Sequence, residues 1–407
     1  MFKRLDKRVK MTILVEGIYY FSIQMLSQYN VLFLSLLGAS GFDIGFINFL
    51  GAFLASLFSI FMGFIMEFYS LKKIILCGLF FDIFAMLFFI FANNWIMLIP
   101  AFLMYTQVVR QIPIADMIFV SFTKPEERVT IMGFSRIFWG LLQVSAPLLA
   151  AFIVNYFGGI NVYGIRPLYY ISIIIFISIF IVIYIFFEEI YLSKSSEIRN
   201  FTLNLNSIVY GYRDFIRGKR DLILWIVVRL LRDGFQYSSV LFLPLWLVEF
   251  KGVDAFKLGI LTTIAIFTSL VSQVPVGKLA DKFGRKKAYY LFTLFYCLGV
   301  IILIYSPSFE YLILASILGI GIGGIGGAAF TPFITMFWEV VGTESRGKLY
   351  GLDGSISSLS RLYASIIVGL LWDFGFTSTV LIIPVIIEVF IVIPMLYVIS
   401  ENFAVEG

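Results

Sequence analysis

Histidine is absent from this chain of 407 residues, cysteine occurs only twice, and charged residues make up 14%. Without imidazole, histidine proton relays are excluded, and zinc or haem sites lose their commonest ligand. Cys77 and Cys297 both fall inside long apolar runs, so a disulfide framework has no support. No nucleophile is clustered with a base, which argues against an enzyme and against a resident metal or cofactor. The alternation that the strands of a closed barrel require is missing too.

What fills the chain is apolar: 60% hydrophobic residues, 18% aromatics and a mean hydropathy of +0.98, far from the composition of soluble domains. A helix needs about 20 mostly apolar residues to cross hydrocarbon. Twelve such runs are present, at 11–37, 43–66, 72–92, 95–119, 130–156, 167–188, 221–249, 256–279, 286–305, 310–338, 346–372 and 377–400, here called spans 1 to 12. The expected fold class is all-α, integral to the membrane and multi-pass. Span 1 is about twice as long as the apolar core of a cleavable signal and contains Glu16, so it reads as retained.

Lysine and arginine orient the spans, because cytoplasmic loops carry an excess of both. With KRLDKRVK at the N-terminus inside, the inner segments hold 22 of the 30 basic residues. The outer loops hold Arg166, Lys251 and Lys257, and five more lie within spans. Both termini are therefore expected on the cytoplasmic side of the cell membrane. The formal charge of +5 and the pI near 9.0 follow from that bias. They favour contact with anionic membrane lipids and give no reason to expect nucleic acid.

The chain repeats itself. "ERVTIMGF", from 127, answers "SRGKLYGL", from 345, at an offset of 218, which pairs Arg128 with Arg346, Gly133 with Gly351 and Ala146 with Ala364. "GFIMEFYSLKK", 63 to 73, answers "GKLADKFGRKK", 277 to 287, at an offset of 214, and Glu16-Gly17 answers Asp233-Gly234. Two six-span halves are expected, an N-terminal bundle over 1–188 and a C-terminal bundle over 221–407, joined by a hydrophilic cytoplasmic linker at 189–220. Parallel repeats of this size place a binding site between the halves, near the membrane midplane.

"GKLADKFGRKK" resembles the signature of the major facilitator superfamily, in which Gly, a small apolar pair, Asp, a basic residue, Gly and a basic cluster join helices 2 and 3 and, in a second copy, helices 8 and 9. Gly277, Leu279, Ala280, Asp281, Lys282, Gly284, Arg285, Lys286 and Lys287 match it. The resemblance extends over essentially the whole chain. It implies a secondary transporter working by alternating access, a monomer, with Asp281 latching the inner side against the start of helix 5. In physical terms, Gly277 would allow close helix approach and Gly284 a positive φ. The basic cluster cannot serve helix 9 itself, since positive charge opposes a helix N-terminus, so topology and lipid contact are its expected roles. The first-half copy, Gly63, Glu67, Lys72 and Lys73, departs from the pattern, with Glu67 for Asp and Ser70 for the second Gly. A weaker or differently built latch is expected there.

Span 10 contains Gly321-x-Gly323-x-x-Gly326, a formal dinucleotide fingerprint. No strand precedes it, so the glycines Gly319, Gly323 and Gly327 are assigned to close packing along one face, and the run with Pro332 to bending. In span 5, Gly133 and Pro147 fit part of the glycine-proline pattern of the family's antiporters, with Leu142 and Ala146 where glycine is expected.

Ionisable residues inside a span are functional hypotheses. On helical wheels, Glu16, Tyr20, Gln24, Ser27 and Asn30 share one arc of span 1, and Arg229, Arg232, Asp233, Gln236 and Tyr237 one arc of span 7. Arg110 belongs to the stripe of span 4, Arg136 to that of span 5, and Arg361 with Ser357 to that of span 11. Five arginines face Glu16 and Asp233, a surplus of three positives, with Asp82, Asp116, Asp353 and Glu388 held as structural partners. Gln24, Asn30, Arg110, Arg229, Arg232, Gln236, Tyr237 and Arg361 are the expected substrate-binding residues. Asp233 and Glu16 are the expected proton-coupling residues. The surplus suits an anionic metabolite, since the guanidinium fork matches carboxylate and phosphate. A proton-antiporting exporter of drugs or other hydrophobic or cationic compounds is the main alternative. A transport-inactive receptor or scaffold on the same fold is the alternative of another class.

Overall fold

The computed structural model of the chain describes residues 5–105, 114–190, 213–321, 323–340 and 346–399, with backbone alone for 58–68 and for a few residues elsewhere. Arg110 and most of the expected linker lie outside the described residues, as does everything but the helical backbone of Gly63 and Glu67. Each of the twelve apolar runs falls on helix: α1 (Lys7–Ser27) and α2 (Tyr29–Leu36) form span 1, α3 (Gly41–Phe68) span 2, and α4 (Leu71–Phe91) span 3. A short 3-10 turn (Trp95–Leu98), α5 (Ile99–Tyr105) and α6 (Ile114–Phe122) belong to span 4. α7 (Pro125–Tyr156), α8 (Val162–Phe186), α9 (Arg220–Lys251), α10 (Ala255–Phe283) and α11 (Arg285–Tyr305) are spans 5 to 9. Span 10 is broken into α12 (Phe309–Leu318), α13 (Gly324–Gly327) and α14 (Phe330–Trp338). α15 (Arg346–Asp373) is span 11, while α16 (Thr377–Ile387), a π-helical turn (Glu388–Val392) and α17 (Ile393–Val398) make span 12.

Local chemistry sets the helix starts. Asp6 accepts from the Arg8 amide at 2.8 Å, Ser70 from that of Lys73 and Asn161 from that of Gly164 at 2.8 Å, each satisfying an orphan donor of the first turn. Gly284, at φ +96°, turns the chain between α10 and α11 as expected. The break in span 10 follows from Gly319, Gly321 and Gly324, at φ of +151°, +61° and +70°, conformations that an L side chain rarely adopts.

By contacts the chain forms two compact units, 1–193 with 241–267, and 194–240 with 268–407, so the division cuts α9 and α10 in mid-helix rather than following the repeat. In the first unit α1 packs on α7 and α4 on α8, around cores that include Val9, Ile13, Phe119 and Ile131, and Leu71, Ile74, Ile179 and Ile183. The start of α10 joins it: a Cβ on Gly259 would lie 2.5 Å from that of Ala151 and 2.9 Å from the Pro147 carbonyl oxygen. Thr262 donates to the Gln28 side chain at 2.7 Å and Thr263 to the Val144 carbonyl at 3.2 Å. In the second unit Trp225, Tyr289, Phe333 and Phe337 centre one large core. The repeat is visible in the packing, since Gly17 is pressed against Phe138 and Leu142 of α7 while Gly234 is pressed against the Ser360 carbonyl of α15.

Candidate functional site

In the second unit, α9 turns Arg229, Arg232, Asp233 and Gln236 to one face, as positions three, four and seven apart must lie. Arg229, only 3% exposed, sends Nε and Nη2 to Asp233 Oδ2 at 2.8 and 2.7 Å, Nη2 to the Ser357 hydroxyl of α15 at 3.1 Å, and Nη1 to the carboxylate of Asp353. The ring of Phe337 in α14 lies 4.8 Å from its guanidinium carbon. Arg232 points elsewhere: Nε is 2.6 Å from Glu388 Oε1 and 3.3 Å from the Tyr289 hydroxyl, and Nη1 is 3.1 Å from Asp233 Oδ1. The Tyr289 hydroxyl donates to the other oxygen of Glu388, and Phe333 stacks 4.2 Å from the guanidinium carbon. Asp233 therefore bridges both guanidiniums, and the π-helical turn of span 12 begins at the residue that holds Arg232.

The surplus of positive charge inferred from the wheels does not exist around α9. Asp353 and Glu388, which the wheels left as structural partners, bring three carboxylates to two arginines. A wheel orders one helix at a time, so partners more than 120 residues away do not enter the count. Arg136 likewise faces Asp116 at 3.9 Å, in a largely exposed pair.

Arg361 stands apart. Its Nε donates to the Ser357 carbonyl at 2.9 Å and its guanidinium lies 5.0 Å from the ring centre of Tyr237, an aromatic that is 51% exposed. Among the described residues no carboxylate meets its terminal nitrogens. Ser357 thus accepts from Arg229 through its hydroxyl and from Arg361 through its carbonyl. Gln236 donates to the Gly321 carbonyl at 3.3 Å, so the unwound stretch of span 10 is tied to the same face of α9.

The span 1 residues do not form one open stripe. Gln24 is half-buried and donates to Ser27 at 3.0 Å, Asn30 is buried and accepts from Tyr169 at 3.2 Å, and Glu16 is half-buried. Gln28, buried at the junction of α1 and α2, was not singled out from the sequence, although it is an amide in an apolar run like Gln24 and Asn30, which were. Tyr289 was missed as well, since a tyrosine in a span ordinarily reads as a packing residue.

In the signature stretch, Lys286 donates to the Ile399 carbonyl at the end of α17, and Lys72 donates to the Tyr184 carbonyl near the end of α8 at 2.8 Å. Each lysine faces the negative end of another helix, a role that spacing within its own helix could not reveal. Arg285 pairs with Glu339, and Lys73 lies 3.8 Å from Glu189. Asp281 and Lys287 are exposed. Among the described residues, nothing lies within 4 Å of a Cβ placed on Gly277.

Twelve apolar runs on helix, an internal repeat and buried ion pairs between spans define a polytopic helical membrane protein. The sequence profile of the Major Facilitator Superfamily matches residues 12–254 and 224–405, and the chain belongs to that superfamily of non-enzymatic transport proteins. Over 113 residues, 27% of this chain and 21% of the relative, it is 26% identical to "Multidrug resistance protein 3" of Bacillus subtilis (strain 168). Over 172 residues, 39% and 38% of the two chains, it is 27% identical to "Probable 4-methylmuconolactone transporter" of Cupriavidus pinatubonensis. The matched stretches span well under half the length of those relatives. A mutant of the nucleoside transporter NupG superposes with a TM-score of 0.78 at 13% identity, covering 97% of this chain and all of the other. A bacterial homologue of the iron transporter ferroportin gives 0.70 at 15% identity, covering 97% and 99%. At these identities the solved structures speak to the fold.

Proposed function

We propose that the chain is a secondary active transporter of the cell membrane, with both termini cytoplasmic, in which the repeats 1–188 and 221–407 alternate access to a small organic anion and proton movement drives the cycle. Arg361 is the observation that carries the substrate class. It is a guanidinium fork without a carboxylate partner among the described residues, stacked on the exposed ring of Tyr237. Such a fork recognises carboxylate or phosphate in two parallel hydrogen bonds, while an aromatic face accepts the apolar body of a solute. Arg229 and Arg232, already neutralised, contribute no such demand. The carboxylate excess around Arg229 favours a second reading, a cationic or hydrophobic compound carried outward, which the similarity to a multidrug resistance protein also suits.

Thermal unfolding of the purified protein against organic anions, sugar phosphates, neutral sugars and lipophilic cations separates the two. A ligand at 100 times its Kd adds about 2.7 kcal/mol to the folded state. Stabilisation by an anion that disappears in Arg361→Gln is the expected result. Stabilisation by lipophilic cations with anions silent would replace the anion reading by the exporter.

A further inference from the structure

In the first unit an open cavity of about 290 Å³ lies where α2 and α4 end and α8 begins, lined by Leu36, Leu37, Asn93, Val162, Tyr163 and Arg166. Arg166 supplies the charge in that wall. Its Nη2 donates to the Ala92 carbonyl at 2.5 Å and so closes the end of α4. Its Nε is buried without a hydrogen-bond partner, and among the described residues no carboxylate pairs with the guanidinium. Closing a helix end takes one donor. It does not account for a whole positive charge beside a cavity with a buried N–H left over, an arrangement that is costly until an acceptor arrives.

The depth of the cavity narrows the choice of acceptor. α4 packs on α8, and at the far end of this pair Lys72, in the first turn of α4, donates to the Tyr184 carbonyl near the end of α8. The two helices therefore run in opposite directions. The cavity lies a full α4 away from Lys72, 21 residues or about 30 Å, which is the thickness of the hydrocarbon layer. At this end Tyr156, which closes α7, and Tyr163, in the first turn of α8, are 77% and 80% exposed. Tyrosine collects where hydrocarbon meets headgroups, so the cavity opens at headgroup depth. We infer that it binds the phosphate of a membrane phospholipid, with Arg166 as the fixed counter-charge and the Asn93 amide and Tyr163 hydroxyl as neutral donors. Leu36, Leu37 and Val162 add apolar surface for the first carbons of the acyl chains. A free phosphate ion presents the same oxygens but makes no use of that surface, which favours the lipid. The site depends neither on the transported solute nor on what drives its movement.

Native mass spectrometry of the delipidated full-length protein tests this, with phosphatidylglycerol, phosphatidylethanolamine, diacylglycerol of the same acyl chains and inorganic phosphate as probes. One molecule of either phospholipid per chain should be retained at collision energies that strip the rest, while diacylglycerol and inorganic phosphate leave no retained molecule. Arg166→Gln should weaken the retained phospholipid about tenfold, the loss of one charge-assisted hydrogen bond. Leu36→Trp, which fills the cavity and leaves Arg166 untouched, should weaken it as well. The comparison of phospholipid with diacylglycerol uses the unaltered protein, so it decides even where a variant fails to fold. Equal retention of diacylglycerol would mean that the lipid is held by its chains, and unchanged binding in both variants that it is held elsewhere; either result overturns the inference. Inorganic phosphate retained as firmly as phospholipid would make this a site for a free anion and overturn the lipid assignment.

Discussion

A buried ion pair adds little over a well-packed apolar pair, yet removing one partner strands the other charge. Arg232 and Glu388 are such a pair, enclosed by Phe333 and Tyr289. Arg232→Met should therefore destabilise the protein by about 3 to 5 kcal/mol, and the double variant Arg232→Met/Glu388→Leu should recover most of that loss. Unfolding midpoints in detergent check it; a single variant as stable as the parent would show that Glu388 finds another partner. Shape gives a second contrast at this scale. Gly234→Ala would press a methyl to 2.4 Å from the Ser360 carbonyl oxygen and should cost about 1 to 3 kcal/mol, whereas Gly277→Ala, with open space around it, should leave the melting temperature unchanged. The Arg229–Asp233 pair was legible because its members lie one turn apart on one helix. Asp353 and Glu388 were legible as structural partners, but not which arginines they hold, because their spans meet α9 only in the folded bundle.

Elements carry two further consequences. Lys72 and Lys286 occupy equivalent positions in the repeat and cap the ends of α8 and α17, so the basic cluster has a helix-stabilising role beside its topological one. Lys286→Met should cost about 0.3 to 2 kcal/mol, with Lys72→Met similar, read from unfolding midpoints at low salt where the helix dipole is least screened. Arg at either position should retain most of the stability. Span 10 was legible as a glycine-rich, bendable run, but the wheel placed its glycines on one face of a continuous helix. The structure makes Gly319, Gly321 and Gly324 breakpoints instead, and Gly321 also receives the Gln236 side chain. Gly321→Ala meets both a φ of +61° and Val240 at 2.8 Å, so a loss of about 1 to 2 kcal/mol is expected, with transport impaired through the displaced carbonyl. The π-helical turn at Glu388 was not legible, since the glutamate marks "IIEVFIV" as unusual for a span but nothing in it specifies the wider turn.

At the scale of the molecule, the repeat and the contacts draw different boundaries. The sequence divides at the linker, but residues 241–267 of the second repeat pack with the first, through Gly259 against Pro147 and Ala151, Thr263 on the Val144 carbonyl and Thr262 on Gln28. These contacts involve a small residue against a backbone carbonyl and two short hydroxyls, the kind of close approach that holds membrane helices together without a hydrophobic driving force. Charge is distributed just as unevenly. In the first repeat the Tyr19 hydroxyl of α1 donates to Asp82 of α4 at 2.8 Å, whereas the second repeat holds the five-membered ionic cluster. If the α7 and α10 contact joins the repeats, 1–188 and 221–407 expressed as separate chains should copurify from membranes. Gly259→Leu should abolish that association, because a larger side chain cannot fit 2.5 Å from the Ala151 Cβ. Arg229→Gln should not, since its partners all lie in the second unit. Copurification unaffected by Gly259→Leu would place the joining force elsewhere along α9 and α10. Loss of association in Arg229→Gln would mean that the ionic cluster orders the second repeat before it can meet the first.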